Sequence, residues 1–292
     1  MIKKTVGVIL AVSLSTVYFN CQNDRNAYYH NLQSLIEAER SFARLSADSG
    51  MRSAFTHWLV NGAIVFRPEP VLGKERYSNS PDIPGMLIWQ PVFADISGAG
   101  DLGYTSGPYE FRKGGAEHPG DGYGHFVSIW QKQADNSWKV IIDVGISHPA
   151  PAYYLDDTVL VVSHPDPIYL TSLSSDTSLL LQLDGNFSNT ASIAGYHQAL
   201  ENFASSDIRI YRENYVPFIG IKEIKENISG PSMWHPLSAG IAASGDLGYT
   251  YGIASSDSLE SGFKKSSYLR IWKRQADDSW KLVLEITNPI PN

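Results

Sequence analysis

The hexapeptide Gly-Asp-Leu-Gly-Tyr-Thr occurs twice in this chain, at 100–105 and again at 245–250. The match extends upstream, because Trp-x-Pro stands at 89–91 and at 234–236, the same distance before each copy. Two further correspondences flank these: Phe66-Arg67 with Tyr211-Arg212, and Ser-Trp-Lys at 137–139 with 279–281. The spacing exceeds the roughly 20 to 50 residues of solenoid repeats, so each copy is predicted to be a whole domain with its own core.

Length and charge agree with two soluble domains. A chain of 292 residues divides into two domains of ordinary size, and 43% hydrophobic with 18% charged residues is typical of globular protein. The net charge is -7, and the lysine and arginine residues do not form a cluster in the sequence. Nucleic acid is therefore excluded as a partner, because binding to its phosphates needs a basic surface.

The first 21 residues have the order of a secretory signal: Lys3 and Lys4, an uncharged apolar stretch over 5–19, and then Cys21. The position of this single cysteine resembles the acylated cysteine of a bacterial lipoprotein, although Tyr-Phe-Asn at 18–20 replaces the usual small residues. We expect an exported protein of the bacterial cell envelope, in the periplasm or outer membrane, anchored by a lipid on Cys21. Cleavage elsewhere and an uncleaved anchor remain alternatives.

The rest of the chain predicts helices followed by strands, twice. Domain boundaries are expected as a tether at 22–30, a first domain at 31–150, a linker at 151–178 and a second domain at 179–292. In the first copy, apolar residues at helical spacing over 32–45 and a break at Gly50 predict two helices. Strands are predicted after them at 63–66, 85–96, 103–113, 122–133 and 137–147, with a short helix at 73–79. This order indicates an α+β fold, with helices packed on one face of a curved antiparallel sheet.

The motifs at these places resemble the nuclear transport factor 2-like superfamily. They are Trp-x-Pro, Gly-Asp-Leu-Gly-Tyr-Thr-x-Gly-Pro, Tyr-Gly-His-Phe and Ser-Trp-Lys-x-x-x-Asp-x-Gly. Within the superfamily the chain is similar to the ketosteroid isomerase-like, polyketide cyclase-like (SnoaL-like) branch, more strongly in its first copy. The resemblance implies two tandem cone-shaped domains, each with a pocket between sheet and helices, and packing of the two copies as an intramolecular pseudo-dimer. The fold hosts isomerases, dehydratases, cyclases and binding modules, so it implies no single activity.

Counting back through the last hairpin of each copy predicts which residues share a sheet face. With a loop at 134–137, Ser128 lies opposite Asp143, and Phe126, Trp130 and Ile141 share their face. The other face would carry these residues: His125, Val127, Ile129, Trp138, Val140 and Ile142. The same count sets Arg270 opposite Glu285 in the second copy, where an ion pair would occupy the space that Ser128 leaves open. The first copy is therefore the better pocket candidate.

Asp143 is the strongest candidate for chemistry. Aromatic and apolar surroundings raise the pKa of a carboxyl group towards the range in which it transfers protons, as acids in pockets of this superfamily do. A histidine or tyrosine facing it would donate to a developing oxyanion, which makes Tyr104 and His125 the other catalytic candidates. The alternative is a structural Asp143 that accepts hydrogen bonds from Ser128 or from backbone near Gly145, and a structural His125 at the sheet edge.

Three functions follow from this pattern. The first is a binding module for a small, partly apolar molecule in the first domain. The ligand-binding candidates are Ser128, Phe126, Trp130, Trp89, Trp58 and His148. The second is a lyase or isomerase with Asp143 as general base, and the third is a non-catalytic envelope scaffold. No cofactor is indicated, and no metal site either, because the histidines are scattered and the acidic residues do not cluster at ligand spacing.

Overall fold

The structure, a computed structural model, describes residues 6–81, 83–151, 160–161, 176–255 and 264–291. Side chains are described from residue 26 onward within these ranges, except at 160–161. The side chain of Cys21 and most of the predicted linker therefore lie outside the described residues. No helix in the described ranges has both the length and the apolar character needed to cross a membrane.

The first copy contains one helical segment interrupted by glycine, then a short helix and strands. The elements are α1 (Val6–Trp58), β1 (Leu59–Phe66), β2 (Pro70–Leu72), α2 (Gly73–Ser78), β3 (Met86–Trp89), β4 (Phe93–Ile96), β5 (Leu102–Arg112), β6 (Gly122–Lys132), β7 (Trp138–His148) and β8 (Leu160–Val161). Gly50 divides α1 with φ 82° and ψ 162°, a conformation that glycine adopts without steric cost. The predicted break between two helices is confirmed.

The second copy repeats the order. Its elements are α3 (Ser178–Ala194), α4 (Tyr196–Phe203), β9 (Ala204–Tyr211), β10 (Phe218–Ile219), α5 (Ile221–Asn227), β11 (Met233–Ile241), β12 (Leu247–Ser255), β13 (Lys265–Arg274) and β14 (Trp280–Ile290). Gly195, between α3 and α4, has φ 92° and ψ 158°, so it repeats the conformation of Gly50.

Each copy forms its own sheet. The first has the strand order β2-β1-β7-β6-β5-β4-β8 with β3 also beside β5, and the second has β10-β9-β14-β13-β12-β11. Pairing is antiparallel except between β1 and β7, between β4 and β8, and between β9 and β14. Helices cover one face of each sheet, where Leu35 and Trp130 share one core and Phe187 and Trp272 share another. The α+β fold class with two helix-covered sheets is confirmed.

Two local predictions in the first copy are wrong. Asn61 and Gly62, predicted as a turn, lie inside β1, because the pairing of β1 with β7 shifts between Leu59 and Ile64 and absorbs the irregular stretch. The predicted strand at 85–96 is two strands separated at Gln90 and Pro91. Proline lacks the backbone N–H that a continuous ladder needs.

The hairpin of β6 and β7 has the predicted pair but not the predicted loop. Lys132 pairs with Trp138, so the loop is longer than expected. A bulge between Ile129 and Trp130, with Ile141 as the extra residue on β7, restores the pairing of Ser128 with Asp143. Because the bulge falls at Ile141, Trp138 and Val140 lie with Trp130 in the helix-side core, whereas Ile141 packs on the other side of the sheet. The predicted faces of these three residues of β7 are therefore corrected.

The uncovered faces of the two sheets pack against each other. A single apolar cluster contains Ile129 and Val144 of the first sheet with Leu269 and Leu284 of the second. Polar contacts cross the same junction, including the buried ion pair of Asp95 with Lys273 and the contact of the Ser106 and Tyr211 hydroxyls at 2.6 Å.

The aspartates of the two hexapeptides lie at this junction, and each binds the backbone just before the hexapeptide of the other copy. Asp101 Oδ2 accepts the backbone N–H of Ala243 at 2.9 Å, and Asp246 Oδ2 accepts that of Gly98 at 2.8 Å. Each aspartate also accepts the hydroxyl of a serine in its own turn, Ser97 or Ser244. The hexapeptide therefore serves both its own turn and the contact between the domains.

Candidate functional site

A cavity of about 520 Å³ lies in the first domain, between the end of α1 and the helix-side face of the sheet. Most of its lining is apolar or aromatic, which is typical of a small-molecule site. From the first domain the lining includes Met51, Phe55, Phe66, Arg67, Leu87, Trp89, Tyr109, Phe111, Phe126 and Asp143. The polar groups are few, so the charged residues Arg67 and Asp143 dominate its inner electrostatics.

Asp143 lies in the cavity wall on β7 and is 6% exposed. Its Oδ2 accepts the Ser128 hydroxyl at 3.0 Å from the neighbouring strand. Burial raises the pKa of Asp143, while the Arg67 guanidinium and the Ser128 hydroxyl act in the opposite direction. Burial is the larger effect, so the pKa of Asp143 lies above its usual range.

Arg67 is the counter-charge in the cavity, placed where β1 ends. Its Nη2 lies 3.5 Å from Asp143 Oδ1 and donates to the Tyr77 hydroxyl at 2.5 Å. Tyr77 is held in turn by stacking on Phe55 with a centroid distance of 4.2 Å. A third of the Arg67 side chain is exposed, so the guanidinium keeps donors for a ligand.

Glu39 on α1 is fully buried behind the cavity. Its Oε1 accepts the Trp89 indole N–H at 2.6 Å, and its Oε2 accepts the Thr105 hydroxyl at 2.5 Å and the Trp130 indole N–H at 2.9 Å. Burial raises the pKa of Glu39 to about 7, against the effect of these three donors. Since Trp89 lines the cavity, Glu39 fixes one of its walls.

Of the other candidates on the helix-side face, some line the cavity and others lie behind its lining. Phe126 and Trp89 line the cavity, and Ser128 orients Asp143. Trp130 and Trp58 lie deeper, against each other and against the ring of Phe42. Two of the predicted ligand contacts, Phe126 and Trp89, therefore lie in the cavity wall, and two others, Trp130 and Trp58, belong to the core behind it.

Tyr104, His125 and His148 lie on the opposite face of the sheet from Asp143, the face that the strand count predicted for His125. None of the three is among the residues that line the cavity, so the structure does not bring these candidates to Asp143. Tyr104 is buried in the cluster between the two sheets. His125 Nδ1 lies 2.8 Å from His148 Nε2, and the His125 ring is 6.1 Å from that of Tyr211. Side chains alternate along a strand, and all three residues are on the alternate set to Ser128 and Asp143.

In the second domain the corresponding volume is filled. Arg270, at the place of Ser128, pairs with Glu285 as predicted and also with Asp184, and all three side chains are fully buried. The Arg270 guanidinium lies between the rings of Phe187 and Trp234, at 3.8 Å and 3.9 Å from their centroids. The cluster neutralises the acids and occupies the space that is a cavity in the first domain.

Glu39 and Arg67 were missed as site residues, although each carried a signal. Glu39 interrupts the apolar helical stripe of α1, and an acid stands at the same place of the second copy, Asp184. Arg67 belongs to the repeated Phe-Arg/Tyr-Arg pair, with Arg212 as its counterpart. A charged residue in an apolar stripe is costly to bury unless it is paired, so both positions indicate a polar core.

Within the described residues, no group of three or more histidine, cysteine, aspartate or glutamate side chains is arranged to hold a metal ion. The polar groups of the cavity include the guanidinium of Arg67, the carboxyl groups of Asp143 and Glu213, the amide of Asn288 and hydroxyls. These are suited to hydrogen bonding an organic molecule.

No protein-family model matches the sequence, and no match was found among curated proteins. Solved structures with a similar fold include an NTF2-like protein with a cystatin-like fold from Novosphingobium aromaticivorans, 13% identical over 51% of this chain and 95% of that chain, with TM-score 0.33. An NTF2-like superfamily protein from Salmonella enterica is 13% identical over 43% and 95%, with TM-score 0.33. A proposed ketosteroid isomerase from Parabacteroides distasonis is 13% identical over 37% and 84%, with TM-score 0.30.

These likenesses concern the fold alone. Each spans about half of this chain or less and most of the other chain. Helices on one face of a mostly antiparallel sheet are present in both copies. The solved structures that are similar to this chain in fold thus include nuclear transport factor 2-like proteins, the superfamily that its sequence motifs resemble.

Proposed function

We propose that the first domain binds a small, partly apolar molecule in the cavity that Asp143 and Arg67 line. One observation carries this proposal: the two copies share their fold, yet the first leaves a cavity of about 520 Å³ where Arg270 fills the second. A filled core is the less costly arrangement, because a cavity forfeits packing contacts. An open volume with a carboxyl group and a guanidinium in its wall is better explained by a site for a ligand.

The proposal is tested by mass spectrometry of the purified full chain under native and then denaturing conditions. Met51 lines the cavity and corresponds to Tyr196, so Met51→Tyr introduces a side chain that the second copy already accommodates. We expect a co-purifying molecule that is released on denaturation, and at least about tenfold lower occupancy in Met51→Tyr and Asp143→Asn. Lys222→Ala, in a surface depression of the second domain, is the control and should keep full occupancy.

Two results would contradict this proposal. A cavity variant with unchanged occupancy would place the co-purifying molecule elsewhere. A chain that carries nothing and is indifferent to both substitutions would favour the scaffold function.

The enzymatic alternative is favoured by one specific observation, the buried carboxyl group of Asp143 beside a guanidinium. A carboxylate with a raised pKa accepts a proton, and Arg67 would stabilise the oxyanion that forms, in place of the candidates Tyr104 and His125. Incubating the chain with small ketones in deuterated water, and following exchange at the α-carbon by NMR, tests it. Exchange that Asp143→Asn does not abolish would contradict this role.

Location and assembly complete the proposal. We propose export and attachment to the envelope membrane through a lipid on Cys21, supported by the basic, apolar and cysteine-terminated order of the first 21 residues. We also propose that the two domains form an intramolecular pseudo-dimer. Its support is the reciprocal bonding of Asp101 and Asp246, which is the pattern of an isologous two-fold contact.

A further inference from the structure

The mouth of the cavity in the first domain is formed partly by the second domain. Glu213, in the loop after β9, and Asn288, near the end of β14, both line the cavity. The remaining wall at this end comes from Pro68, Gly145 and Ser147 of the first domain. The site therefore spans both halves of the chain.

The two halves are tied together at this mouth by hydrogen bonds. Glu213 Oε2 accepts the backbone N–H of Ser147 at 2.8 Å, and the Ser147 carbonyl accepts the N–H of Asn214 at 2.7 Å. On the other side, the Ser267 hydroxyl donates to the Pro68 carbonyl at 2.6 Å. These contacts hold Glu213 at a defined place in the wall, so it is a fixed part of the cavity.

The charge of the cavity is decided by Glu213. Among the described lining residues, those with charged side chains are Arg67, Asp143 and Glu213. Arg67 compensates Asp143, so Glu213 leaves an excess of one negative charge at the outer end. All three act on Tyr109 in the same wall: burial raises the pKa of its hydroxyl, Glu213 and Asp143 raise it further, and Arg67 lowers it.

The second domain reaches the cavity of the first through this edge. Its own central volume is occupied by Arg270 and the acids paired with it. One oxygen of Glu213 is used in the bond to Ser147, and a carboxylate has further lone pairs for a second donor. This group therefore faces the cavity mouth with acceptor capacity to spare.

We infer that Glu213 and Asn288 of the second domain complete the ligand site of the first, and that Glu213 selects molecules with a cationic amine at their outer end. This inference rests on the proposed binding function and adds to it the chemistry of the ligand. The apolar part of such a molecule lies against Trp89 and Phe126, and its ammonium group lies at Glu213.

The test uses two fluorescent probes of the same shape and opposite charge, 1-naphthylmethylammonium and 1-naphthylacetate, titrated into the full chain. We expect the ammonium probe to bind about tenfold more tightly, the size of effect that one partly screened carboxylate produces at close range. In Glu213→Gln the preference should fall to within about twofold, because glutamine keeps the acceptor for Ser147 N–H but loses the charge.

Glu223→Gln is the matched control. Glu223 also accepts a backbone N–H, that of Ile219 at 3.0 Å, in an exposed part of the second domain away from the cavity. Its substitution should leave the tenfold preference intact. A preference that survives Glu213→Gln, or equal binding of both probes to the unchanged chain, would overturn this inference and leave the binding function standing. Binding of neither probe to the unchanged chain would contradict both.

Discussion

At the scale of single residues, Glu39 is the least expected feature of the first domain. It is a carboxyl group in an apolar helical stripe, and it survives there because two indole N–H groups and one hydroxyl bind it. Burial still outweighs these bonds, since the pKa of Glu39 is raised to about 7. The folded protein therefore holds this proton up to neutral pH.

The pH dependence of stability follows from that pKa. The carboxyl of the unfolded chain releases its proton near pH 4.5, whereas the folded chain keeps it until about pH 7. Between these values the folded state binds more protons, so Glu39 makes the free energy of unfolding fall by about 1.4 kcal/mol per pH unit as the pH rises. Glu39→Gln mimics the protonated form. As the pH rises from 4 to 8, urea unfolding should show the free energy of unfolding of this variant increasing by about 3 kcal/mol relative to that of the unchanged chain.

Two comparisons isolate that effect. Glu37→Gln, on the exposed side of the same helix, should show no such gain. His125 gives a slope of opposite sign, because burial first and then His148 lower its folded pKa to about 3, so stability is lost as the pH falls below about 6.5. This contribution is common to all variants and cancels in the differences. A constant difference between Glu39→Gln and the unchanged chain at all pH values would contradict the prediction.

The histidine pair also has a defined proton arrangement. His148 Nδ1 lies 2.7 Å from the Pro149 carbonyl, which only accepts, so Nδ1 carries the proton and Nε2 is an acceptor. His125 Nδ1 then donates to that Nε2 at 2.8 Å. Both ring nitrogens of His148 and the Nδ1 of His125 thus have a hydrogen-bond partner, which agrees with a structural role at the junction of the domains.

At the scale of elements, the residue at one strand position, Ser128 on β6 or Arg270 on β13, decides whether a domain has a cavity. Ser128 on β6 is short and leaves Asp143 facing open volume, whereas Arg270 on β13 reaches Asp184 and fills it. The hydrogen bonding of the nearby tryptophan differs between the two domains as a result. Trp89 donates to Glu39 in the first domain, but Trp234 Nε1 has no partner among the described residues, because Arg270 has taken the acid.

The hairpin of β6 and β7 shows how far strand patterning can be read from the sequence. The pairing of Ser128 with Asp143 was predicted from a loop at 134–137, yet the first pair beyond the loop is Lys132 with Trp138. A bulge at Ile141 compensates for the longer loop. In the second copy the shift after Ile271 has the same effect, and Arg270 pairs with Glu285. Bulges depend on packing against both faces, so a count along one strand does not detect them.

At the scale of the whole molecule, the repeated hexapeptide joins the two domains. Asp101 and Asp246 each bind a backbone N–H of the other domain, at 2.9 Å and 2.8 Å. Hydrogen bonds to a charged group stabilise by about 1.5 to 3 kcal/mol. We expect Asp101→Ala and Asp246→Ala each to lower the free energy of unfolding of the full chain by about that amount, with faster amide exchange at 97–102 and 242–247, measured by urea unfolding and hydrogen exchange.

The chain provides a matched control for this prediction. Asp135 and Asp277 also stand at corresponding places, but each binds only within its own hairpin loop, to Ser137 or Ser279. Alanine at either should lower the free energy of unfolding less than alanine at Asp101 or Asp246 does, and should leave amide exchange at the junction unchanged. Equal losses for the two pairs of aspartates would mean that the hexapeptide serves its own turn alone, and would remove the support for a pseudo-dimer.

The sequence by itself determined the duplication, the order of helices and strands, the break at Gly50 and the contrast between Ser128 and Arg270. These features depend on local conformational preference and on residue periodicity, which are properties of short stretches of chain. The resemblance of both copies to nuclear transport factor 2-like proteins rested on the same short motifs.

Only the tertiary structure decided which of the candidates share the cavity. It brought Arg67 to Asp143 across 76 residues of chain and Glu39 to Trp130 across 91, and it placed Glu213 at the mouth. It also put Tyr104, His125 and His148 on the far face of the sheet. Such contacts arise from the packing of elements distant in sequence, where one bulge reverses a face and one arginine fills a core, so no local pattern specifies them.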